Sequence, residues 1–320
     1  MSFPRRIRGG RVLALCAPTA VALAAPTFAL AQDSASQASR RELFPAGHLT
    51  RPLIANPREP GFRLSLVHAT SPGDLNALMG IAEQGGTFGI ARWSLGRGET
   101  AVQLDVTGSV SAQFDLGTVH WDLLNSDYTF GFPVTIRRGA TAARIRIYHL
   151  SSHLGDEFVR RDSTWVWGDP LPIPAGFRTY HQSYRFESVQ LVLERQWRDW
   201  RVYGGGDYFW FVAPAQLDKR MALGGVELDR PLGGRSARGE ARTGRMSLLA
   251  AVDLTMLEYR DWEREWSFRA GLDFGRRSDR ARTGRRAAVL FEYHTGPAPF
   301  GQFATRTTVR YVGGGLFLTL

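Results

Sequence analysis

The densest group of polar side chains in the chain runs from Tyr148 to Glu157, in the order Tyr-His-Leu-Ser-Ser-His-Leu-Gly-Asp-Glu. Within this run, His149 and Ser151 are two residues apart, and side chains at positions i and i+2 of a strand point to the same face. A histidine beside a serine hydroxyl can take its proton as a general base and make the serine a nucleophile. The spacing therefore indicates a candidate catalytic pair of His149 and Ser151.

A nucleophile–base pair usually needs a third group that holds the imidazole in the required tautomer. Glu187 is the candidate for this role, because it lies on the next predicted strand and shares the parity of that strand's apolar face. If His149 and Glu187 lie near each other across the two strands, a Ser-His-Glu arrangement results. His181 and Ser183 have the same spacing and form a rival pair.

Two further polar residues, Asp156 and Glu157, follow the serine-histidine run. Carboxylate oxygens suit Ca²⁺, so both residues are candidate ligands of that ion, and we expect no other cofactor. The alternative interpretation is structural: His153, Asp156 and Glu157 cap a loop, pair with arginines or meet the counter-ions of lipopolysaccharide. His149 can equally be a polar residue at a membrane interface.

Strands must position these residues, because apolar and polar side chains alternate along most of the chain. In 102–114, 129–137 and 266–275 every second residue is apolar, which predicts strands with one apolar face. About twelve such segments are predicted, near 62–68, 87–97, 100–115, 127–137, 141–151, 183–196, 199–211, 220–229, 244–258, 264–276, 285–294 and 304–319.

Alternating strands in an exported chain fit either a soluble β-sandwich or barrel, or a transmembrane barrel. Gln103, Asp105, Arg269 and Asp273 lie in the middle of their segments, as expected of side chains that face a polar lumen. The segments are also long enough to cross a bilayer as tilted strands. We therefore predict an all-β fold, a transmembrane antiparallel β-barrel of about 12 strands.

Residues 1–31 have the pattern of a cleavable signal peptide. Several arginines precede an apolar stretch over 12–25, and Ala29-Leu30-Ala31 supplies the small residues that signal peptidase reads. We predict a periplasmic N-terminal segment over 32–61, a β-barrel over 62–320 and export to the cell outer membrane. Tight turns near 96–99 and 198–199 alternate with longer connections, of which 152–182 is predicted to lie outside the cell.

The composition excludes several classes of protein. A single cysteine rules out a disulfide scaffold and a cysteine-based zinc site. Hydrophobic residues make up 43% of the chain and aromatics 12%, which is too rich for a disordered protein. The formal charge of +10 suits a surface rich in lipid phosphates. No feature indicates a nucleic-acid partner.

Two motifs connect the chain to known proteins. The run from Tyr148 to Glu157, together with Pro-Leu-Ile-Ala-Asn-Pro-Arg-Glu-Pro over 52–60, resembles a family of Gram-negative outer-membrane barrels defined as a domain of unknown function. This resemblance implies an outer-membrane location and a barrel fold, with envelope lipids, lipopolysaccharide and the barrel-assembly machinery as partners. It implies no activity, and the oligomeric state stays open.

A second resemblance is shorter. His149-x-Ser151 is similar to the His-x-Ser pair of outer-membrane phospholipase A and of the lipid A deacylases, whose catalytic groups lie on the lipid-facing wall. In those barrels Asn-Gly or Asn-Ala tends to follow the serine, whereas Ser152-His153 follows here.

Three functions remain open at this point. The first is an envelope role as a structural or surface-interaction barrel. The second is an outer-leaflet lipid esterase or deacylase that uses the His-x-Ser pair. The third is a narrow solute pore, which we rank last because inward-facing side chains would fill the lumen of so small a barrel. These side chains are Arg144, Arg146, Asp105, Gln103, Asp253 and Arg269.

Overall fold

The computed structural model describes residues 40–71, 76–96, 99–161, 184–232, 246–275 and 286–319, and the statements below concern these residues. The signal peptide predicted over 1–31 lies outside them. The strands are β1 Arg40–Leu43, β2 Phe62–Thr70, β3 Asn76–Leu95, β4 Thr100–Asp115, β5 Asp122–Arg138, β6 Thr141–Leu154, β7 Tyr184–Trp197, β8 Trp200–Ala213, β9 Arg220–Leu232, β10 Met246–Leu257, β11 Arg264–Asp273, β12 Arg286–Pro297 and β13 Thr308–Thr319. Helix α1 spans Asp156–Arg161, and short 3-10 helices span Glu258–Arg260 and Gly301–Thr305.

The strands from β2 to β13 form a closed ring. Each one pairs antiparallel with its neighbour in sequence, and β13 pairs with β2 through a register that runs from Arg310 with Thr70 to Leu318 with Phe62. Strand β1 adds to one end of β3, where Arg40 is opposite Ser94. The predicted barrel of about twelve strands is therefore confirmed, and closure leaves the ring with no free strand edge.

The two faces of the wall differ as the alternation predicts. Gln103 and Asp273 are 0% exposed, and Asp105 and Arg269 are buried as well, so the polar side chains point into the barrel. Their apolar neighbours in sequence point outward. Exposed outward-facing side chains include Phe130, Phe132, Ile145, Ile147, Leu191, Leu193, Val289 and Phe291. An apolar outer wall around a polar interior is the arrangement of a transmembrane barrel.

In the part of the chain that the structure describes, no helix is long and apolar enough to cross a membrane.

Several strands extend beyond their predicted bounds, and two of these extensions, in β3 and β6, matter for the candidate site. Strand β3 begins at Asn76 rather than near 87, because residues 76–83 pair with β2 although Gly80 and Gly85 interrupt the alternation there. Strand β6 continues to Leu154, since Ser151 to Leu154 still pair with residues 125–128 of β5. His153, which the sequence analysis placed at the start of a loop, therefore lies in a strand.

The stretch from Gly47 to Gly61 runs through the interior of the barrel. Its backbone and side chains bond to inward-facing residues of eight strands, and a segment that contacts so much of the ring must lie inside it. These inward-facing partners are Glu83, Gln103, Arg137, Arg144, Arg201, Glu227, Asp253 and Glu265. The segment predicted over 32–61 as periplasmic thus has its second half inside the barrel.

Paired charges fix this interior segment. Arg58 donates two hydrogen bonds to Glu265, at 2.7 and 2.8 Å, and Glu59 accepts two from Arg144. Burial alone would lower the pKa of Arg58, but the Glu265 carboxylate outweighs it and the pKa is raised. Burial would raise the pKa of Glu59, but Arg144 outweighs it and the pKa lies below its ordinary value. Arg58 and Glu59 therefore each have an oppositely charged partner, as buried charges in low-dielectric surroundings require.

Candidate functional site

Strand pairing brings the sequence-predicted residues into two neighbouring rows on the outer wall. In the first row, Phe130 of β5 is opposite His149 of β6, and His149 is opposite Glu187 of β7. In the second row, Tyr128, Ser151 and Arg185 occupy the same three strands two residues further on. All six side chains have outward parity, because they alternate with buried inward neighbours such as Tyr148, Ser152 and Ser188.

His149 and Glu187 form a direct hydrogen bond. His149 Nδ1 lies 2.7 Å from Glu187 Oε1, and the two side chains are 40% and 37% exposed. The carboxylate can only accept, so Nδ1 carries the hydrogen and Nε2 keeps a free lone pair when the ring is neutral. The structure thus meets the condition on which the Ser-His-Glu hypothesis depended, namely that these two residues lie together; that they act in catalysis stays a prediction.

Ser151 has a different partner from the one expected. Its Oγ lies 3.0 Å from Nε2 of His153, the residue two positions further along β6. The His153 ring packs edge-on against Tyr128, with centroids 5.8 Å apart, which helps to hold it. The sequence analysis missed this histidine as a site residue, although its parity continues that of His149 and Ser151.

The serine is thus flanked by two histidines on one face of one strand. His149 is oriented by a carboxylate, as a general base requires, and His153 is bonded to the serine hydroxyl in this structure. A serine hydroxyl changes partner by rotation about a single bond, and catalytic hydrogen bonds often form only when substrate is bound. In this structure the hydroxyl is bonded to His153, and transfer of its proton to His149 would require the serine side chain to rotate toward that ring.

A depression in the outer wall adjoins His149 on the side of β4. It is lined by Gln84, Gly108, Ser109, Val110, Tyr128, Thr129, Phe130 and His149. The wall is low here because Gly108 of β4 is opposite Gly86 of β3. Both glycines lie in the row of His149, so neither strand has a side chain on the outer face in that row. Sequence reasoning missed this feature, since it depends on which glycines become neighbours.

Arg185 lies on the other side of Ser151 from the depression. It is the direct register partner of Ser151 on β7, and its guanidinium lies 5.4 Å from the centre of the Phe211 ring. A guanidinium held over an aromatic face near a membrane interface is suited to bind phosphate or carboxylate groups.

Other predicted residues do not join this site. Asp156 and Glu157 form the first turn of α1, where both side chains are exposed and where acidic groups favour a helix N-terminus. Among the described residues, no group of three or more histidines, cysteines or acids is placed to hold a metal ion. The Ca²⁺ site therefore stays a prediction. His181 and Ser183, the rival pair, lie outside the described residues.

Sequence comparison identifies the family. A family described as a protein of unknown function, DUF1207, matches residues 25–319. The chain belongs to this family. This match confirms the resemblance to a family without an assigned activity, and the matched residues include the N-terminal segment as well as the ring of strands. No curated protein matches the chain.

Solved structures with a similar backbone include outer membrane phospholipase A from Escherichia coli. Its match has a TM-score of 0.47 with 10% identity and covers 86% of this chain and 95% of that one. An active-site mutant of the same enzyme gives a TM-score of 0.48 with 9% identity and the same coverage. OccK11 (OpdR) of Pseudomonas aeruginosa gives 0.27 with 12% identity, over 82% and 74% of the chains. At these scores, function has to be argued from this chain's own residues.

Proposed function

We propose that this barrel lies in the outer membrane and hydrolyses acyl esters of outer-leaflet lipids, with Ser151 as the nucleophile. The observation that carries the proposal is the 2.7 Å bond between His149 and Glu187 on the outward face, in the row beside Ser151. A carboxylate-oriented imidazole next to a serine has the components of a Ser-His-acid triad.

The proposed reaction has two halves. His149 Nε2 takes the hydroxyl proton of Ser151, while Oγ attacks the ester carbonyl carbon. The bond to the lipid alcohol then breaks, the alcohol leaves with the proton from His149, and the acyl group remains on the serine. Water, deprotonated by the same ring, next attacks the acyl carbon. The bond from that carbon to Ser151 Oγ breaks, His149 returns the proton to Oγ, and the fatty acid is released. In both halves Glu187 stabilises the transient imidazolium.

The outward face suits a lipid substrate. The side chains of Phe130 and Tyr128 lie on the apolar outer wall, where they are 53% and 46% exposed. An acyl ester in the membrane would therefore meet the serine without leaving the bilayer. His149 and Ser151 are near the end of β6 that leads into the long connection after Leu154, which we assign to the outer leaflet.

A second candidate is the envelope role without catalysis. It is favoured by the bond of Ser151 to His153 rather than to His149, because His149 and Glu187 then form an interfacial ion pair. A narrow pore has less support, since the interior segment over 47–61 lies within the lumen and bonds to eight strands.

The test is fatty-acid release by the purified, detergent-solubilised protein in mixed micelles. We expect the wild type to release acyl chains from phospholipid or lipid A, and the Ser151→Ala variant to lose this activity while it keeps the β-sheet signal of the folded barrel. Absence of release by the wild type from every envelope lipid, with and without Ca²⁺, would favour the non-catalytic role. Loss of activity in Ser183→Ala but not in Ser151→Ala would assign the reaction to the rival pair.

A further inference from the structure

The geometry around the serine points to a specific class of substrate. We infer that the depression beside His149 seats one acyl chain of a lipid whose phosphate group is bound by Arg185. The catalytic part of this inference rests on the function proposed above, but the binding part does not require that the serine reacts.

The depression is aligned with the candidate nucleophile by strand register. The row that contains Ser151 continues through Tyr128 and Val110 to Gln84, and the row that contains His149 continues through Phe130 to Gly108 and Gly86. Val110, Tyr128 and Phe130 are between 41% and 53% exposed, so they form an apolar border on the lipid-facing wall. A chain seated in the depression therefore lies across the two rows that lead to His149 and Ser151.

The glycine pair makes space that a side chain would remove. A Cβ atom built on Gly86 meets no other atom within 4 Å, so this position opens onto free space outside the wall, next to Gly108, which lines the depression. On Gly108 a Cβ atom would lie 3.1 Å from the carbonyl oxygen of Thr129. Gly86 is therefore the position from which a long side chain can reach over the depression without displacing the strand backbone.

Charge determines the direction in which the lipid lies. Gln84 at the far side of the depression is neutral, whereas Arg185 follows Ser151 directly on β7. Neighbouring strands are about 4.8 Å apart, which is a few bond lengths and matches the short separation of an ester and a phosphate in one lipid molecule. With the ester at Ser151, the acyl chain extends over β5 and β4, and the phosphate meets the guanidinium, which binds such groups bidentately.

Two envelope lipids share this chemistry. Glycerophospholipids and the lipid A part of lipopolysaccharide both carry acyl esters close to a phosphate, and the site as described accepts either. A neutral diacylglycerol lacks the phosphate and serves as the matched lipid control.

The first experiment fills the depression in the active protein. Gly86→Leu should reduce release of long acyl chains by about tenfold or more while release of short chains changes little, because the leucine side chain occupies space that a long chain would cover. The control is Gly204→Leu, since Gly204 and Gly224 form another outward glycine pair five strands further round the ring, with 3.8 Å of space at the Cβ position. Equal chain-length profiles for both variants and the wild type would overturn the acyl-chain assignment.

The second experiment measures binding without catalysis, in the Ser151→Ala protein. Phosphatidylglycerol, lipid A and diacylglycerol, each with a photoreactive diazirine in one acyl chain, are crosslinked in micelles and mapped by mass spectrometry. For the two phosphate lipids we expect crosslinks concentrated on residues 84, 110 and 128–130, and we expect weaker labelling by diacylglycerol. Labelling should fall in Gly86→Leu and in Arg185→Gln, and it should fall less in Arg185→Lys, which keeps the charge but not the bidentate geometry. The lipid that labels more strongly identifies the source of the phosphate.

Labelling spread evenly around the wall would overturn the inference. Local labelling by a wild type that hydrolyses nothing would overturn the proposed hydrolase function and leave the binding site standing.

Discussion

His149 and Glu187 are direct register partners on β6 and β7, and the imidazole Nδ1 is 2.7 Å from the carboxylate Oε1. The bond lies on the outward face of the wall. Because the carboxylate accepts the hydrogen of Nδ1, a neutral ring is held in the tautomer in which Nε2 is free to accept a proton.

Replacement of the carboxylate tests this consequence. Glu187→Ala should reduce acyl release more than Glu187→Gln, because the amide oxygen can still accept the Nδ1–H bond. Both losses should be smaller than the loss in His149→Ala, which should reach on the order of 10³-fold, since members of a triad act as a unit. The measurement is kcat/KM in mixed micelles. Equal activity of Glu187→Ala and the wild type would contradict a positioning role for Glu187.

The two histidines on either side of Ser151 can be separated by single substitutions. We expect His153→Ala to retain most of the activity, because the serine hydroxyl is then free to turn to His149, and we expect His149→Ala to be inactive. The pH profile of kcat/KM in His153→Ala should keep the same acidic limb as the wild type, because that limb reports deprotonation of the general base. The reverse pattern, with His153→Ala inactive, would identify His153 as the general base.

The assignment of the two faces of the wall is testable on β4. Val106 faces outward, and Thr107 is 3% exposed and faces the interior. An arginine in place of Val106 should cost about 2–4 kcal/mol if the position is near the bilayer midplane, whereas Thr107→Arg should be better tolerated. The measurement is the yield of protein in the outer-membrane fraction that migrates faster on a gel when unheated than when boiled. Equal yields for the two variants would show that the faces are assigned wrongly.

The ion pair between Glu59 and Arg144 should make the barrel sensitive to acid. Arg144 holds the pKa of Glu59 below the ordinary value of 4.5, so the pair stabilises the fold above that pH, and its contribution is lost as the pH falls through the lower, folded pKa. At neutral pH, Glu59→Gln should destabilise the protein by about 3–5 kcal/mol, because Arg144 is left buried without its charge partner.

The acid effect is measured by urea unfolding in detergent micelles at neutral pH and at a pH below the folded pKa of Glu59. The difference between the wild type and Glu59→Gln should narrow in acid, since the wild-type carboxylate is then protonated. The exposed pair of Arg138 and Glu99, at 3.6 Å, supplies the control, and Glu99→Gln should change the unfolding midpoint little. A constant difference at the two pH values would contradict this account.

The alternation of apolar and polar residues determined the fold class, because a period of two allows only one division of each strand into an outer and an inner face. It was sufficient to place Gln103, Asp105, Arg269 and Asp273 inside the barrel. The same parity put His149 and Glu187 on the outward faces of β6 and β7, but the register that makes them direct partners was only a hypothesis until the structure supplied it. The spacing of a motif on one strand is a local property, so the sequence alone could supply it.

Contacts between residues distant in sequence required the tertiary structure. The segment over 47–61 has no periodicity, and its position inside the barrel depends on partners such as Glu265, 207 residues from Arg58. The bond from Ser151 to His153 depends on how far β6 continues, which the pairing with β5 decides. The wall depression exists because the register of β3 and β4 sets Gly86 opposite Gly108, and a one-residue shift in that register would move every side chain on the strand to the other face.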